Sequence, residues 1–266
     1  MSEMIAQDIF ERYEVKYLIP KELKEVLLNE LSDQIVPDAY GKSTIRNIYY
    51  DTKDFRLARI SMEKPDYKEK LRLRSYKKAN AEDEVFLEMK KKVNGIVYKR
   101  RILIPLAQAE GFFHHLCDLP EDQISKEIRY FCEFYKTIRP AVYLNYDRSA
   151  YYWKDDPNVR ITFDENVQWR TDRLSLKEET GGREILEDGK ALLEVKSRGS
   201  VPLPLTRLLS KYRVYPASLS KYGAAYTVMT QEKLKEKRKE TCLTQYSPQI
   251  SEHSPYRASL YASAAH

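Results

Sequence analysis

Lys68-Glu69-Lys70-Leu71-Arg72-Leu73-Arg74 is the stretch whose reading decides the fold. In an extended chain, successive side chains point to opposite faces, so Lys68, Lys70, Arg72 and Arg74 share one face and Leu71 and Leu73 the other. The segment reads as a strand with an apolar side for a core and a row of cations for something polyanionic.

The same alternation recurs outward from this stretch. In Glu11-Arg12-Tyr13-Glu14-Val15-Lys16-Tyr17, Arg12, Glu14 and Lys16 oppose Tyr13, Val15 and Tyr17. Val85, Leu87 and Met89 alternate with Glu84, Phe86, Glu88 and Lys90, and the apolar phase of residues 96–102 leaves Lys99 and Arg101 together. Val159, Ile161 and Phe163 oppose Arg160, Thr162 and Asp164, and Leu193 and Val195 oppose Glu194 and Lys196.

Any one of these segments alone would be an ordinary antiparallel strand with one face in the core and one in water. Together they depart from that pattern, because a solvated face normally interleaves both signs and like charges on neighbouring strands repel. Here Arg12, Lys16, Lys70, Arg72, Arg74, Lys90, Lys99, Arg101, Arg160 and Lys196 meet chiefly Glu14, Glu88, Asp164 and Glu194. If the strands close into a barrel with these faces inward, a bound anion or water must relieve the repulsion.

A chain of 266 residues with 42% hydrophobic content can bury a full core. Its formal net charge of +6 permits phosphate-rich partners without singling out nucleic acid. The 21 tyrosines suit broad strands rather than indicating base stacking, so no nucleic-acid partner is expected. The first residues lack a basic and then apolar leader, and no apolar run reaches the roughly 18 to 20 residues of a membrane span, so a soluble, cytoplasmic protein is expected. Cys117, Cys132 and Cys242 form no CxxC pair, and no HExxH occurs, which argues against a disulfide framework or a soft-ligand metal site.

Strands are expected near 10–19, 43–51, 68–76, 84–92, 95–104, 141–153, 158–170 and 190–198. Helical spacing fits 20–34, with Pro20 in the first turn, and also 106–117, 121–138, 203–213 and 218–238. The result is an antiparallel-rich α+β chain with helices packed outside. Residues 1–8 are a lead, 9–232 one domain, and 233–266 a charged helix end followed from Thr241 by a flexible tail. Gly181-Gly182 marks an exposed loop, and the charge run Lys233–Glu240 a solvated helix end.

The Walker pattern and GxSxG are both missing, so neither a backbone phosphate cradle nor a nucleophile elbow is supported. What remains is an array of guanidinium and ammonium groups with a few carboxylates. Arginine forks and lysine charges bind phosphate, carboxylates hold a divalent cation, and phosphoryl transfer asks for little beyond such positioning and charge stabilisation.

The residues resemble the triphosphate tunnel metalloenzymes, and within them the polyphosphate polymerase domain of the vacuolar transporter chaperone (VTC) type. The matching stretches are Phe10–Tyr17, Ile48-Tyr49-Tyr50-Asp51-Thr52, Leu71–Arg74, Leu87-Glu88-Met89-Lys90, Gly95–Arg101, Tyr146-Asp147-Arg148, Val159–Asp164, Leu193-Glu194-Val195-Lys196 and Ser220-Lys221-Tyr222, in the family's order. The resemblance implies an eight-stranded antiparallel β-barrel tunnel with a basic lumen. It further implies transfer of the ATP terminal phosphate to a growing polyphosphate chain, with Mn2+ or Mg2+ as cofactor. Arg72, Arg74, Lys90 and Glu194 are then the catalytic candidates. Arg12, Lys16, Lys70, Lys99, Arg101, Arg148, Arg160, Lys196 and Lys221 are the phosphate-binding candidates, and Glu194 and Glu14 the metal ligands. Periodicity alone gives Arg148 less support, since Val142, Leu144 and Tyr146 share its phase.

The chain departs from the wider superfamily's Glu-x-Glu-x-Lys in having Arg12-x-Glu14-x-Lys16, and Ser218 stands near where the VTC family often has another basic residue. It shows neither the SPX domain nor the membrane helices of eukaryotic VTC subunits, so a membrane or assembly partner would be encoded separately. Two alternatives stand beside the polymerase. One is a metal-dependent tri- or polyphosphatase with Glu14 or Glu88 orienting water, and the other a non-catalytic polyphosphate-binding module.

Overall fold

The computed structural model describes residues 13–63, 65–94 and 96–245, with side chains described to residue 239. Arg12 and the stretch after Gln245 lie outside the described residues. The chain divides into two compact units, Met1–Tyr226 and Thr227–His266.

The first unit is a mixed α+β arrangement around one antiparallel sheet. Its strands are β1 (Tyr13–Pro20), β2 (Ile35–Asp51), β3 (Tyr67–Ser75), β4 (Glu84–Val93), β5 (Ile96–Pro105), β6 (Arg139–Trp153), β7 (Arg160–Arg170), the short β8 (Arg183–Glu184) and β9 (Lys190–Ser197). Helices α1 (Lys21–Glu30), α2 (Arg56–Met62), α3 (Leu106–Phe113), α4 (Gln123–Tyr135) and α5 (Leu203–Lys211) lie between strands or follow them, and α6 (Lys221–Gln245) begins in this unit. The sheet runs β1-β9-β7-β6-β2-β3-β4-β5, with β8 paired to β7.

The apolar phase of each strand faces the helices. Leu71 and Leu73 of β3 and Val85, Leu87 and Met89 of β4 are fully buried with Ala109 of α3 and Ile128 and Phe131 of α4. Tyr17 and Ile19 of β1, Ile161 and Phe163 of β7, and Leu193 and Val195 of β9 form a second cluster with Leu27 of α1 and Leu205, Leu208 and Leu209 of α5. Each fully buried leucine or phenylalanine contributes on the order of 1.5–3 kcal/mol. The core therefore lies outside the sheet, which leaves the charged phase facing inward.

The sheet is strongly curled. Glu14 on β1 and Lys90 on β4 approach to 3.5 Å, although six inter-strand steps separate their strands, on the order of 29 Å in a flat sheet. Among the described residues, however, no ladder joins β1 to β5, so the expected closed eight-stranded barrel is corrected to a curled open sheet. The free edge of β1 is occupied instead by a short segment: Pro216 bridges Tyr17, and the Ala217 amide donates to the Lys16 carbonyl at 2.7 Å.

The short strand β8 and helix α2 are absent from the sequence expectations, and β2 is longer than expected. Strand β2 begins at Ile35 rather than near residue 43 because its first half pairs with β6 through a register shift between Pro37 and Lys42, with Gly41 at φ 56°. The residue before helix α2 is Phe55, at φ 57° and with no capping side chain of its own. The helix's first amide, Arg56, donates to the Thr52 hydroxyl at 2.9 Å, and the next two, Leu57 and Ala58, donate to the Asp51 carboxylate at 2.9 Å each.

In the second unit α6 continues to Gln245, so residues 241–245, expected to be tail, are helical. The charge run from Lys233 is exposed, as a solvated helix face requires. No described helix is long and apolar enough to cross a membrane.

Candidate anion-binding site

Strand register determines which charges meet inside the curl. On β1 and β9 opposite signs face each other, Glu14 against Lys196 and Lys16 against Glu194. On β3, β4 and β5 like signs face each other: Lys70 stands opposite Lys90, and Lys90 opposite Lys99. One level along, Arg72, Glu88 and Arg101 are aligned across the same three strands.

Around Glu88 the contacts are close. Its Oε2 lies 2.8 Å from Arg72 Nε and 2.7 Å from Nη2, and its Oε1 lies 2.7 Å from Lys99 Nζ. Arg74 is buried, with Nε donating to Asn47 Oδ1 at 2.9 Å and Nη2 to the Tyr146 hydroxyl at 3.2 Å. Arg101 lies 4.7 Å from the centre of the Phe86 ring.

The other wall gathers Asp164, Glu194, Lys16, Lys196, Arg148 and Lys221. Lys221 Nζ lies 2.5 Å from Asp164 and 3.0 Å from Glu194, and Arg148 pairs with both Asp164 oxygens at 2.6 and 2.7 Å. Lys196 Nζ is 3.0 Å from Glu194, and Lys16 Nζ is 3.1 Å from Glu14. Arg148 thus belongs to the interior despite its apolar phase neighbours, because Tyr146 on the same face also turns inward, its ring 5.2 Å from the Arg148 guanidinium carbon. Arg160 sits apart, paired with Asp38 at 2.7 Å and 5.3 Å from the Tyr152 ring centre.

Burial raises the Glu194 carboxyl, but Lys221, Lys196, Lys16 and Arg148 outweigh it and hold the group well below its usual range. Burial likewise opposes ionisation of Glu14 and Glu88, and Lys90, Lys196 and Lys16 for the first, Arg72, Arg74 and Lys99 for the second, keep them ionised. The lysines without enough anions behave oppositely. Burial, with Lys90, Lys16, Lys68 and Arg72 nearby, pushes Lys70 down to about 7. Burial pushes Lys99 down to about 7 as well, with Glu88 opposing and Arg72 adding to the shift.

Sequence reasoning named Asp164 only as a counter-ion and Glu88 as a counter-ion or, in the phosphatase alternative, a water-orienting base, and did not place Asn47, Tyr49, Tyr146 or Asp51 in the site. Asn47, Tyr49 and Tyr146 take their contacts from residues of other strands, and Asp51 from the start of α2 and from Tyr222; the signal that could have found Tyr49, Asp51 and Tyr146 is their place in the stretches that carry the family resemblance. Among the described residues no cluster of three or more His, Cys, Asp or Glu side chains is arranged to hold a metal. Glu14 and Glu194 are nonetheless hard oxygen donors facing the same interior and both near Lys16, at 3.1 and 4.0 Å. One or two carboxylates completed by phosphate oxygens suit Mg2+ or Mn2+.

A curled antiparallel sheet with its core outside and clustered cations within defines an α+β domain built around a cation-rich interior. The chain belongs to the VTC-domain family, whose model matches residues 11–230. Among solved structures, a candidate adenylate cyclase from Bacillus halodurans is similar at 14% identity and TM-score 0.51, covering 80% of this chain and 94% of that one. A candidate adenylyl cyclase from Hippeastrum, described as having a dominant triphosphatase activity, is 16% identical with TM-score 0.49, again covering 80% and 94%. The protein PH1819 from Pyrococcus horikoshii is 15% identical with TM-score 0.44, covering 82% and 98%. No curated protein sequence matches the chain.

Proposed function

We propose that this protein is a metal-dependent phosphotransferase that moves the terminal phosphate of ATP onto a polyphosphate chain held inside the curled sheet. The observation that carries the reading is the direct registration of Lys70, Lys90 and Lys99 on three adjacent strands, with Glu14 the carboxylate that approaches Lys90. Like charges so aligned repel, and a row of phosphates is the ligand that reverses the sign of that interaction.

In this reading Arg72, Arg74 and Lys90 bind and neutralise the transferring phosphoryl group, and Lys16, Lys70, Lys99, Arg101, Arg148, Lys196 and Lys221 guide the chain. Glu194 and Glu14 would hold a divalent cation, which when bound bridges phosphate oxygens and offsets their charge. Transfer to a phosphate acceptor needs no carboxylate base, whereas hydrolysis needs an oriented water. Glu88 is clamped by Arg72 and Lys99, and Glu14 by Lys16 and Lys90, which makes both weak bases and favours the phosphate acceptor.

Incubation with ATP and Mn2+, with products read by gel and released phosphate together, should yield long polyphosphate. Phosphate alone would replace the reading with the hydrolase, and polyphosphate binding without turnover would replace it with the binding module.

Binding should also take up protons. Lys70 and Lys99, both near 7 when the interior is empty, are each about half neutral at pH 7, and a polyanion raises both. The binding free energy they supply is therefore fully present below about pH 7 and is lost as pH rises through the bound-state values. Calorimetry with inorganic triphosphate in buffers of different ionisation enthalpy should show uptake of up to about one proton at pH 7, vanishing near pH 5.5. No uptake at pH 7 would mean that the ligand does not reach these lysines.

A further inference from the structure

Two sequence stretches, Tyr49-Tyr50-Asp51-Thr52 and Ser220-Lys221-Tyr222, meet in space. Asp51 is fully buried. Its Oδ1 accepts from the amides of Thr52 and Leu57 at 2.7 and 2.9 Å, and its Oδ2 from the amide of Ala58 at 2.9 Å and the Tyr222 hydroxyl at 2.6 Å. The Tyr222 ring stacks on Tyr49, centroids 4.5 Å apart and 4° from parallel. The Tyr49 hydroxyl in turn accepts from Arg72 Nη1 at 3.0 Å. The residue before Tyr222 is Lys221, which reaches across to Asp164 and Glu194.

We infer that Asp51, Tyr222 and Tyr49 form a positioning relay that fixes the Arg72 guanidinium for phosphate binding, an inference that rests on the anion-binding reading above. Three backbone amides hold the Asp51 carboxylate in place whether or not Tyr222 is present, so the acceptor is rigid. Burial and the Asp51 charge both push the Tyr222 phenol up, which keeps it a hydrogen-bond donor. The stacked Tyr222 then limits the tilt of Tyr49 and with it the place of the oxygen that meets Arg72 Nη1. With Nε and Nη2 on Glu88 and Nη1 on Tyr49, the guanidinium plane is defined from two sides. Its remaining N–H groups are pre-aimed, which reduces the ordering cost when a phosphate arrives. Because Lys221 adjoins Tyr222, the same anchor sets the start of α6 and the reach of the Lys221 ammonium.

The relay predicts a coupling that a merely structural tyrosine would not show. Tyr222→Phe keeps the ring and its stacking while removing the hydroxyl, and leaves Asp51 three donors, so the protein folds. Affinity for inorganic triphosphate, measured calorimetrically without metal, should fall about three- to tenfold, the equivalent of one hydrogen bond. In an Arg72→Lys background, which keeps the charge but loses the fork, the same change should cost less than about twofold. Tyr49→Phe should behave as Tyr222→Phe does, and the two together should cost no more than either. Equal losses in both backgrounds, or no loss in the wild type, would overturn the relay. If Arg72→Lys itself left triphosphate binding unchanged, the anion-binding reading would fall instead.

Discussion

Arg74→Ala is expected to lower the rate of ATP turnover by about 10²- to 10³-fold, the scale of removing one preorganised donor from a developing charge. Arg74 is 6% exposed, and its guanidinium is held by Asn47 from β2 and Tyr146 from β6. It is therefore oriented before any ligand arrives. Alanine at this position removes the charge and leaves the Asn47 oxygen without its donor, a stability cost of about 1–3 kcal/mol. Arg74→Lys should restore most of the stability but only a fraction of the rate, since an ammonium cannot reproduce a fork aimed by two partners. Initial rates at saturating ATP and Mn2+, set against urea midpoints for both variants, check this. A rate within twofold of wild type in the alanine variant would place Arg74 in the framework alone.

Glu194→Gln should separate metal-dependent chemistry from simple anion binding. The carboxylate is 6% exposed and stands among Lys221, Lys196, Arg148 and Lys16. Removing one partner from such a buried network leaves the others uncompensated, at about 3–5 kcal/mol. The folded-state carboxyl is held below its unfolded value, so its contribution is fully present above about pH 4.3 and is lost as pH falls through the folded value. The urea midpoint of the variant should thus lie well below wild type at pH 7, and the gap should shrink under strongly acidic conditions. At the same time the interior gains net positive charge. Metal-free triphosphate should bind the variant more tightly, while turnover with Mn2+ falls by about 10²-fold or more. Undiminished turnover would remove Glu194 from the metal site.

Membership of the VTC-domain family, whose model matches residues 11–230, was legible in the chain because the strand stretches that carry the resemblance occur in the family's order. Alternation along β3, β4, β7 and β9 correctly assigned Leu71, Leu87, Ile161 and Leu193 to the core and Lys70, Glu88, Asp164 and Glu194 to the opposite face. The same rule gave Arg148 little support, because an aromatic residue in its phase looks like core. Tyr146 is inside the curl, where its hydroxyl receives Arg74. Helix α2 could not be read because its first three amides are capped by Thr52, four residues back, and Asp51, six and seven residues back, while the N-cap position itself holds Phe55.

By itself the sequence determined which side chains share a face, since the two-residue period of an extended chain is a local property. It also determined that one face would be cationic and the other apolar. Only the tertiary structure decided that the sheet curls with no ladder between β1 and β5 among the described residues. It alone decided that Lys70, Lys90 and Lys99 stand in line, and that Tyr222 reaches Asp51 across 171 residues. These depend on strand order and register, which are set by how distant segments pack together, and no local periodicity encodes them.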